Sequence, residues 1–306
     1  MRLKKSIAVL STFAAATVGT VLSGTAAHAD PAGGNCPSMY VVAVPGTWET
    51  STQPDKRPGP GMLAAVTNAL PASKIRSDYV TYAATAFPWE TEVYGASKKQ
   101  ATDNARGMLE AMQKACANTR FGIIGYSQGA DAAGDLAAEI GTGTSTIRPE
   151  KVAAVGLLSD PRRADSDVLI GPAVPGIGSG GPRIGGFGWL SDRTVTFCAP
   201  GDLYCATERT DFVTRLAGFL AQNSDPGSSD SPRYGDEATM IWNDLLGAGG
   251  IPTLQNQLTD EANVGRRKQL ERFYGSGAHQ DYQGYAVDKA GNTPTTWLAG
   301  WLRDRA

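Results

Sequence analysis

The amino-acid sequence predicts an α/β fold in which a parallel β-sheet is covered by helices. Short apolar runs alternate with longer stretches of helical character along the 306-residue chain. One of these apolar runs leads directly into a glycine-flanked serine and then into a helical stretch. Because the alternation does not start again later in the chain, we expect a single domain rather than two.

Five short segments are predicted to be strands, since they are rich in apolar, β-branched or aromatic residues. They are residues 39–44, 79–82, 121–124, 151–158 and 194–198. Between and after them, the spacing of small and apolar residues predicts helices. The helical stretches are residues 94–117, 128–140, 208–222, 236–246 and 296–305.

Two further segments are predicted to be long surface loops because of their composition. Residues 171–188 are rich in glycine and proline, and residues 223–234 are rich in serine, aspartate, proline and glycine. Long loops are often mobile or functional, so plain disorder and a lid over a site are both open interpretations.

Charge and composition exclude several classes of protein. The chain has 28 lysines and arginines against 30 aspartates and glutamates, and 41% of its residues are hydrophobic. It has no cationic run of the kind that binds nucleic acid, and it is too apolar to be a disordered chain. This composition is typical of a soluble globular protein.

The first 29 residues are predicted to be a secretory signal peptide. A cationic start precedes a mostly apolar stretch over 7–22, and AHA at 27–29 has the small-x-small pattern of a cleavage site. The alternative is an uncleaved membrane anchor, although the stretch is short and interrupted for a span. Cleavage would leave residues 30–306 as a secreted or envelope protein without a transmembrane segment. It would also leave His279 as the only histidine.

The sequence GYSQG at 125–129 predicts a nucleophilic serine. It follows a predicted strand and precedes a predicted helix, and its glycines would let the chain turn sharply and expose the Ser127 hydroxyl. The alternative is an ordinary glycine-rich turn with Ser127 as helix N-cap, which explains neither glycine. Since an alcohol is a weak nucleophile at neutral pH, Ser127 needs a base. His279, in a loop of small residues late in the chain, is the candidate.

The third member of the site should be a carboxylate that orients the imidazole. Asp202 follows the fifth predicted strand, and Asp160 follows the fourth. We expect Asp202, because a Cys198–Cys205 disulfide would hold its loop rigid. Asp160 is the alternative, although Asp-Pro is also a common turn. Asp281 is too close in sequence to His279 to approach its ring easily.

The four cysteines predict two disulfides, since an even number in an oxidising compartment usually pairs completely. Besides Cys198 with Cys205, the remaining pair is Cys36 and Cys116, which precede the first and third predicted strands. Neighbouring strands would bring these two positions together, so we expect this pair to be structural. Exchange between the pairs stays open.

The negative charge that develops on a substrate oxygen needs backbone N–H donors. The residue after the nucleophile, Gln128, supplies one, and the loop after the first strand supplies another. In that loop, which reads Pro45-Gly46-Thr47, the glycine permits close backbone approach. We therefore assign Thr47 as the second donor, and a plain turn is the alternative.

Taken together, these residues resemble the cutinase family of serine esterases. The likeness lies in GYSQG at 125–129, CxxxDxxC at 198–205, GAH at 277–279 and PGT at 45–47. Cys36 and Cys116 also match the family's first disulfide by position. The resemblance implies an α/β-hydrolase fold, with a five-stranded parallel sheet and helices on both faces. It also implies site residues, which are a catalytic triad of Ser127, Asp202 and His279 and an oxyanion hole of Thr47 and Gln128.

Insertions near 160–192 and 206–276 distinguish this chain from small cutinases, in which the acid and the histidine are close in sequence. The chain looks more like the larger cutinase-like lipid esterases secreted by mycolic-acid-containing actinobacteria. Those proteins include carboxylesterases, phospholipases, thioesterases and hydrolases of trehalose mycolates. Acyl transfer by such a triad needs no metal and no organic cofactor.

The predicted function is a secreted serine hydrolase that cleaves lipid or glycolipid esters through an acyl-enzyme on Ser127. The alternatives are acyl transfer to a sugar by the same triad, a phospholipase or thioesterase, and a non-catalytic envelope lipid binder. The expected partner is a lipid or ester substrate at a membrane or envelope surface, with no nucleic acid, and the expected state is a monomer. Five aromatic residues in or near predicted loops would line an acyl-chain groove or, alternatively, pack in the core: Trp48, Phe87, Trp89, Phe187 and Trp189.

Overall fold

A five-stranded parallel β-sheet forms the centre of the structure, a computed structural model that describes residues 36–53, 61–87, 89–225 and 231–306. The predicted signal segment 1–29 lies outside these residues. The sheet order is β2-β1-β3-β4-β5, and every neighbouring pair is parallel. This confirms the predicted α/β fold. The strands are β1 (Met39–Val44), β2 (Ile75–Tyr79), β3 (Arg120–Tyr126), β4 (Val152–Leu158) and β5 (Thr194–Phe197).

Helices cover both faces of the sheet. Val42 of β1 belongs to a buried cluster that includes Leu136 of helix α3 (Gln128–Gly141), whereas Val41 belongs to a second cluster that includes Leu298 of helix α8 (Pro294–Arg303). Because both faces are covered, β1 is buried along its whole length and reads as a continuous apolar run. The described helices are α1 (Ala64–Thr67), α2 (Tyr94–Ala115), α3 (Gln128–Gly141), α4 (Phe212–Gln222), α5 (Ser231–Gly247), α6 (Ile251–Gln257), α7 (Asp260–Ser276) and α8 (Pro294–Arg303).

The second strand lies before its predicted position of 79–82. Residues Ile75–Tyr79 pair with β1, and their sequence IRSDY is mostly polar because β2 is a half-exposed strand at the sheet edge. A search for apolar runs therefore misses it. Val80 and Tyr82 are fully buried in the segment that follows, where the Tyr82 hydroxyl donates a hydrogen bond to the Pro45 carbonyl at 2.6 Å.

Between β5 and α8 the chain forms four helices, α4 to α7, which we call the inserted helices. α4 and α5 overlap the predicted stretches 208–222 and 236–246. The prediction of a loop over 223–234 is wrong at its end, because α5 begins at Ser231, where Pro232 is compatible with a first helical turn. α6 and α7 escaped prediction because they are mostly exposed and show no apolar stripe. Phe273 is the buried residue of α7.

The glycine-rich segment 171–188 is attached to the rest of the protein by buried charges. Arg183 contacts Asp160 at 2.6 Å and Asp135 of α3 at 2.9 Å. The prediction of a surface loop is therefore wrong for this part of the segment, since buried charges require partners and Arg183 finds them inside the protein. The buried charge cluster comprises Lys98, Asp131, Asp135, Asp160, Arg162, Arg183 and Glu237.

The four cysteines form two disulfides, Cys36–Cys116 and Cys198–Cys205. The first joins the residues just before β1 to the end of α2. The second closes the loop that follows β5. In the described part of the chain, no helix is both long and apolar enough to span a membrane.

Candidate active site

Ser127 lies on a sharp turn between β3 and α3. Its backbone has φ 55° and ψ −123°, which non-glycine residues rarely adopt, and its side chain caps no described residue of α3. The flanking glycines are needed because neighbouring backbone passes close by. A Cβ on Gly125 would collide with the Gly129 carbonyl, and one on Gly129 would collide with the Val44 carbonyl. The turn thus has the shape of a nucleophile elbow, not of an ordinary N-cap.

The structure places the His279 ring beside Ser127. His279 Nε2 is 2.9 Å from Ser127 Oγ. His279 lies in a short 3₁₀ segment, Ala278–Gln280, which follows α7 through Gly277 in the left-handed conformation. The Tyr126 hydroxyl donates to the His279 carbonyl at 2.7 Å, so the residue next to Ser127 also holds the histidine loop.

Asp202 approaches the other nitrogen of the same ring. His279 Nδ1 is 3.0 Å from Asp202 Oδ2, and Asp202 is fully buried. The alternative acid, Asp160, contacts Arg183 in the buried charge cluster instead. The structure therefore brings Ser127, His279 and Asp202 into one hydrogen-bonded chain.

Two residues that sequence reasoning missed also contact Asp202. The Ser159 hydroxyl donates to Asp202 Oδ2 at 2.6 Å, and the Tyr282 hydroxyl donates to the same oxygen at 2.7 Å. Burial alone would raise the pKa of Asp202, but hydrogen bonds from His279, Ser159 and Tyr282 and the charge of His279 bring it below its ordinary value. Asp202 therefore stays ionised. No motif in the sequence distinguishes Ser159 or Tyr282 from other polar residues.

The two predicted oxyanion-hole residues are joined to each other. The Thr47 hydroxyl donates to Gln128 Oε1 at 3.3 Å, and Gln128 Nε2 donates to the Thr85 carbonyl at 2.8 Å. Glu49, which sequence reasoning also missed, accepts from the Gly46 N–H at 2.9 Å. These bonds fix the loop after β1 next to the start of α3.

Unusual backbone geometry concentrates around this site. The four non-glycine residues with positive φ in the described chain are Trp48 (63°), Ala84 (54°), Ser127 (55°) and Ser159 (54°). Trp48 follows Thr47, and its N–H donates to the Ala84 carbonyl at 2.8 Å. Such conformations persist only where the surrounding structure imposes them, and they are frequent at functional sites.

A cavity of about 1030 Å³ opens over Ser127 and His279. Its walls combine core loops with inserted helices, since α4 and α7 both contribute lining residues. Leu203, Leu270 and Phe273 are among the apolar lining residues, and Gln257, Arg266 and Gln269 form a polar part of the wall. The cavity has room for a ligand much larger than an acetyl group.

The five aromatic residues that we expected at an acyl groove have different positions. Trp48 and Phe87 line the cavity, and Trp89 stacks on Phe87 with ring centroids 4.7 Å apart. Phe187 is buried in the core, and Trp189 is exposed and does not line the cavity in the described structure. The groove prediction therefore fails for the last two residues.

Across the described ranges, no group of three or more histidine, cysteine, aspartate or glutamate side chains is arranged to hold a metal ion. Titratable lining residues instead pair with each other, as Arg266 does with Asp211 at 3.9 Å.

Parts of the chain are similar to a family model and to individual known proteins. A sequence model described as cutinase matches residues 35–220. A carboxylesterase Culp6 homolog from Corynebacterium glutamicum is 31% identical over 206 residues, covering 56% of this chain and 65% of that protein, just under two thirds of it. Carboxylesterase Culp1 from Mycobacterium tuberculosis is 32% identical over 193 residues, or 62% of this chain and 76% of that protein. The solved catalytic core domain of acetyl xylan esterase from Trichoderma reesei is 21% identical, with a TM-score of 0.44, and the match covers 62% of this chain and 96% of that one.

Proposed function

Because the chain belongs to the cutinase family, we propose that it is a secreted serine hydrolase that cleaves carboxylic esters, with lipid acyl esters as its substrates. The observation that carries this proposal is the position of His279, whose ring nitrogens lie 2.9 Å from Ser127 Oγ and 3.0 Å from Asp202 Oδ2. These distances suit a hydroxyl nucleophile, a general base and an orienting acid.

Acylation begins at Ser127. His279 takes the hydroxyl proton as Ser127 Oγ attacks the ester carbonyl, and buried Asp202 stabilises the imidazolium that forms. The backbone N–H groups of Thr47 and Gln128 donate hydrogen bonds to the negatively charged oxygen of the tetrahedral intermediate and stabilise it. His279 then gives its proton to the leaving alcohol, and the acyl group stays on Ser127.

Deacylation repeats the sequence with water. His279 removes a proton from a water molecule, which attacks the acyl carbonyl, and the proton returns to Ser127 as the acid product leaves. Every proton in the cycle passes through the one imidazole. The cycle requires no redox step.

Apolar surface supports a lipid acyl chain as part of the substrate. Trp48, Phe87 and Phe273 line the cavity beside Ser127, and Trp89 continues the aromatic stack into solvent with 79% exposure. Exposed apolar patches mark surfaces that bind lipids or partners. The inserted helices and the turn between α6 and α7 add further exposed side chains, namely Leu220, Trp242, Leu246, Ile251, Leu258 and Val264.

The polar part of the cavity wall supports a second candidate, acyl transfer to a sugar hydroxyl. Gln257, Arg266 and Gln269 could hydrogen-bond a polyol acceptor in place of water. Product analysis with and without trehalose separates the two reactions, since transfer yields an acyl sugar and hydrolysis yields only free acid.

The two disulfides support an extracytoplasmic location, because such bonds persist in oxidising compartments. We propose residues 30–306 as the mature domain. Amino-terminal sequencing of the exported protein tests this boundary and is expected to begin at Asp30.

Hydrolysis of p-nitrophenyl esters of graded chain length tests the proposed activity. We expect kcat/KM to rise from acetate to longer esters, since each buried methylene contributes about 0.8 kcal/mol. S127A should lower the rate by ~10⁴-fold or more and abolish labelling by a fluorophosphonate. S191A, on an exposed serine bonded to the Gly188 carbonyl, is the matched control and should retain both. Labelling that survives in S127A would refute the assignment of the nucleophile.

A further inference from the structure

Asp202 Oδ2 receives more hydrogen bonds than a triad requires. His279 Nδ1 lies 3.0 Å from it, Ser159 Oγ 2.6 Å and Tyr282 OH 2.7 Å. The other carboxylate oxygen accepts from the Tyr204 N–H at 3.1 Å. The Asp202 carboxylate therefore has four hydrogen-bond partners. Two of them are hydroxyl groups that take no part in the chemistry above.

Ser159 also contacts the base directly. Its Oγ lies 3.0 Å from His279 Nδ1, as does Asp202 Oδ2. Because the single proton of the Ser159 hydroxyl is donated to Asp202, the oxygen lone pairs are free to accept from the imidazole N–H. Ser159 thus bridges the acid and the base, and the imidazole N–H is shared between two oxygens.

The backbone of Ser159 indicates that this hydroxyl has a function. The residue directly follows β4, is completely buried and has φ 54°, where glycine would be less strained. Its N–H donates to the Phe197 carbonyl at 2.9 Å, while the preceding carbonyl, of Leu158, accepts from the Ser127 N–H at 3.0 Å. Ser159 is therefore fixed between β5 and the nucleophile elbow, at a position where a side chain is retained at a conformational cost.

Tyr282 is held equally firmly. It is fully buried, and its hydroxyl accepts from the Ala199 N–H at 3.2 Å while it donates to Asp202. The two partners fix the direction of its proton. Tyr282 lies three residues after His279, so the same short segment supplies the base and a donor to the acid.

We propose that Ser159 and Tyr282 are positioning residues that hold Asp202 against His279 and disperse part of its carboxylate charge, a role that rests on the triad proposed above. Each hydrogen bond donated to Asp202 withdraws part of the negative charge that would otherwise stabilise the imidazolium. Without the Tyr282 donor, the carboxylate would bind the protonated ring more tightly.

The other groups around the ring do not compete for this role. The titratable side chains that face His279 are Asp202, Tyr126 of β3 and Tyr204 of the disulfide loop, and α7 contributes Phe273. Tyr274 of α7 lies behind Tyr204, with the two hydroxyl oxygens 3.1 Å apart. Burial raises the pKa of Tyr126, Tyr204 and Tyr282, so these phenols remain neutral in the working range.

The test is an NMR titration of the His279 imidazole in the full chain. An H28N background leaves His279 as the only histidine, so its resonance is unambiguous. We expect S159A and S159G to change the titration midpoint equally, because both remove the hydroxyl that donates to Asp202 and accepts from the imidazole N–H. The acidic limb of the kcat/KM profile should move with it. kcat should fall roughly 10- to 100-fold, and KM should change little, since Ser159 does not line the described cavity.

Comparison of the two serine variants separates the hydroxyl from the backbone. Glycine relieves the positive φ and alanine does not, so S159G should be the more stable protein while both show the same titration shift. A normal midpoint and rate in S159G, with a defect confined to S159A, would mean that only the backbone matters and would overturn the proposal. If S159A does not fold, S159G and Y282F still decide the question.

Tyr282 has a matched control in its neighbour. Y282F should raise the midpoint by about half a pH unit, because it removes a donor to Asp202 and no acceptor of the imidazole N–H. Y285F should leave the midpoint unchanged, because the buried Tyr285 hydroxyl has no hydrogen-bond partner in the described structure. A normal kcat in S159G together with an unchanged midpoint in Y282F would overturn the proposal. The NMR titration needs no ester, so its outcome is independent of the hydrolase test. Failure of the proposed hydrolase function would instead appear as an absence of fluorophosphonate labelling at Ser127 in the parent protein.

Discussion

At the scale of single residues, Asp167 is a carboxyl group whose surroundings favour its protonated form. Burial raises the pKa of Asp167 to about 6, the nearby charge of Asp160 adds to this effect, and a hydrogen bond from the Ala164 N–H at 2.7 Å opposes it. In the unfolded chain the group titrates near 3.9. The folded protein therefore binds the extra proton between these two values, and Asp167 makes the protein less stable as pH rises from about 4 to about 6.

We expect D167N to remove this loss. Asparagine keeps an acceptor for the Ala164 N–H and cannot ionise, so D167N should exceed the parent in free energy of unfolding by about 1–2 kcal/mol at pH 7, allowing for partial exposure. The difference should vanish below about pH 4. Urea denaturation at several pH values measures it. D165N, on the exposed neighbour that pairs with Arg209, is the control and should change stability by less than about 0.5 kcal/mol. A parent-like pH dependence in D167N would contradict the assignment.

At the scale of elements, Arg183 connects the glycine-rich segment to the core. Its guanidinium contacts Asp160 and Asp135 and donates to the Asp131 carbonyl at 2.9 Å. Removal of one partner of a buried ion pair leaves the other charge uncompensated, so R183M should lower the free energy of unfolding by about 3–5 kcal/mol. Guanidinium denaturation measures this change.

The exposed pair of Arg209 and Asp165 provides the control for Arg183. It lies at a similar distance, 2.7 Å, but both side chains are more than half exposed, so R209A should cost less than about 1 kcal/mol. Equal losses in R183M and R209A would show that the buried charge cluster contributes no more than surface charges do.

The elements differ in how well sequence predicts them, and burial explains the difference. β1 and β3 are covered on both faces, so their apolar runs locate them to within a few residues. β2 is a polar edge strand and α7 is mostly exposed, so neither has the periodicity that burial imposes. Charged residues of the glycine-rich segment find buried partners that only the folded chain brings near.

The candidate site shows the same division. Ser127 could be predicted because it stands in a motif whose glycines are required by the close approach of neighbouring backbone. His279 could be predicted because the chain has so few histidines. Ser159 and Tyr282 are ordinary residue types at unremarked positions, and their importance comes from the convergence of β4, β5 and the histidine loop on Asp202. The spacing of residues along the sequence does not show that these three segments meet at Asp202.

At the scale of the whole molecule, the two disulfides lie at opposite ends of the strands. Cys36–Cys116 lies before the strands begin, whereas the site residues follow the strands' carboxyl ends. C36A/C116A should therefore lower the free energy of unfolding by about 2–4 kcal/mol, because the bond closes a long loop in the unfolded chain. The kcat of ester hydrolysis should stay within about twofold of the parent.

Urea denaturation and ester hydrolysis, measured on the same preparation, check both parts of this expectation. C198A/C205A is the comparison, and it should lose activity as well as stability because its bond holds the loop of Asp202. A folded C36A/C116A variant that had lost most of its kcat would show that the first disulfide also shapes the site.

The four positive-φ residues bear on how this protein could lose its activity over generations. Trp48, Ala84, Ser127 and Ser159 each occupy a conformation that glycine would adopt with less strain. At Ser127 and Ser159, glycine would relieve this strain but would remove the hydroxyl groups that the site uses. A paralogue that keeps the sheet but carries glycine at both positions would thus be recognisable as an inactive descendant before any assay.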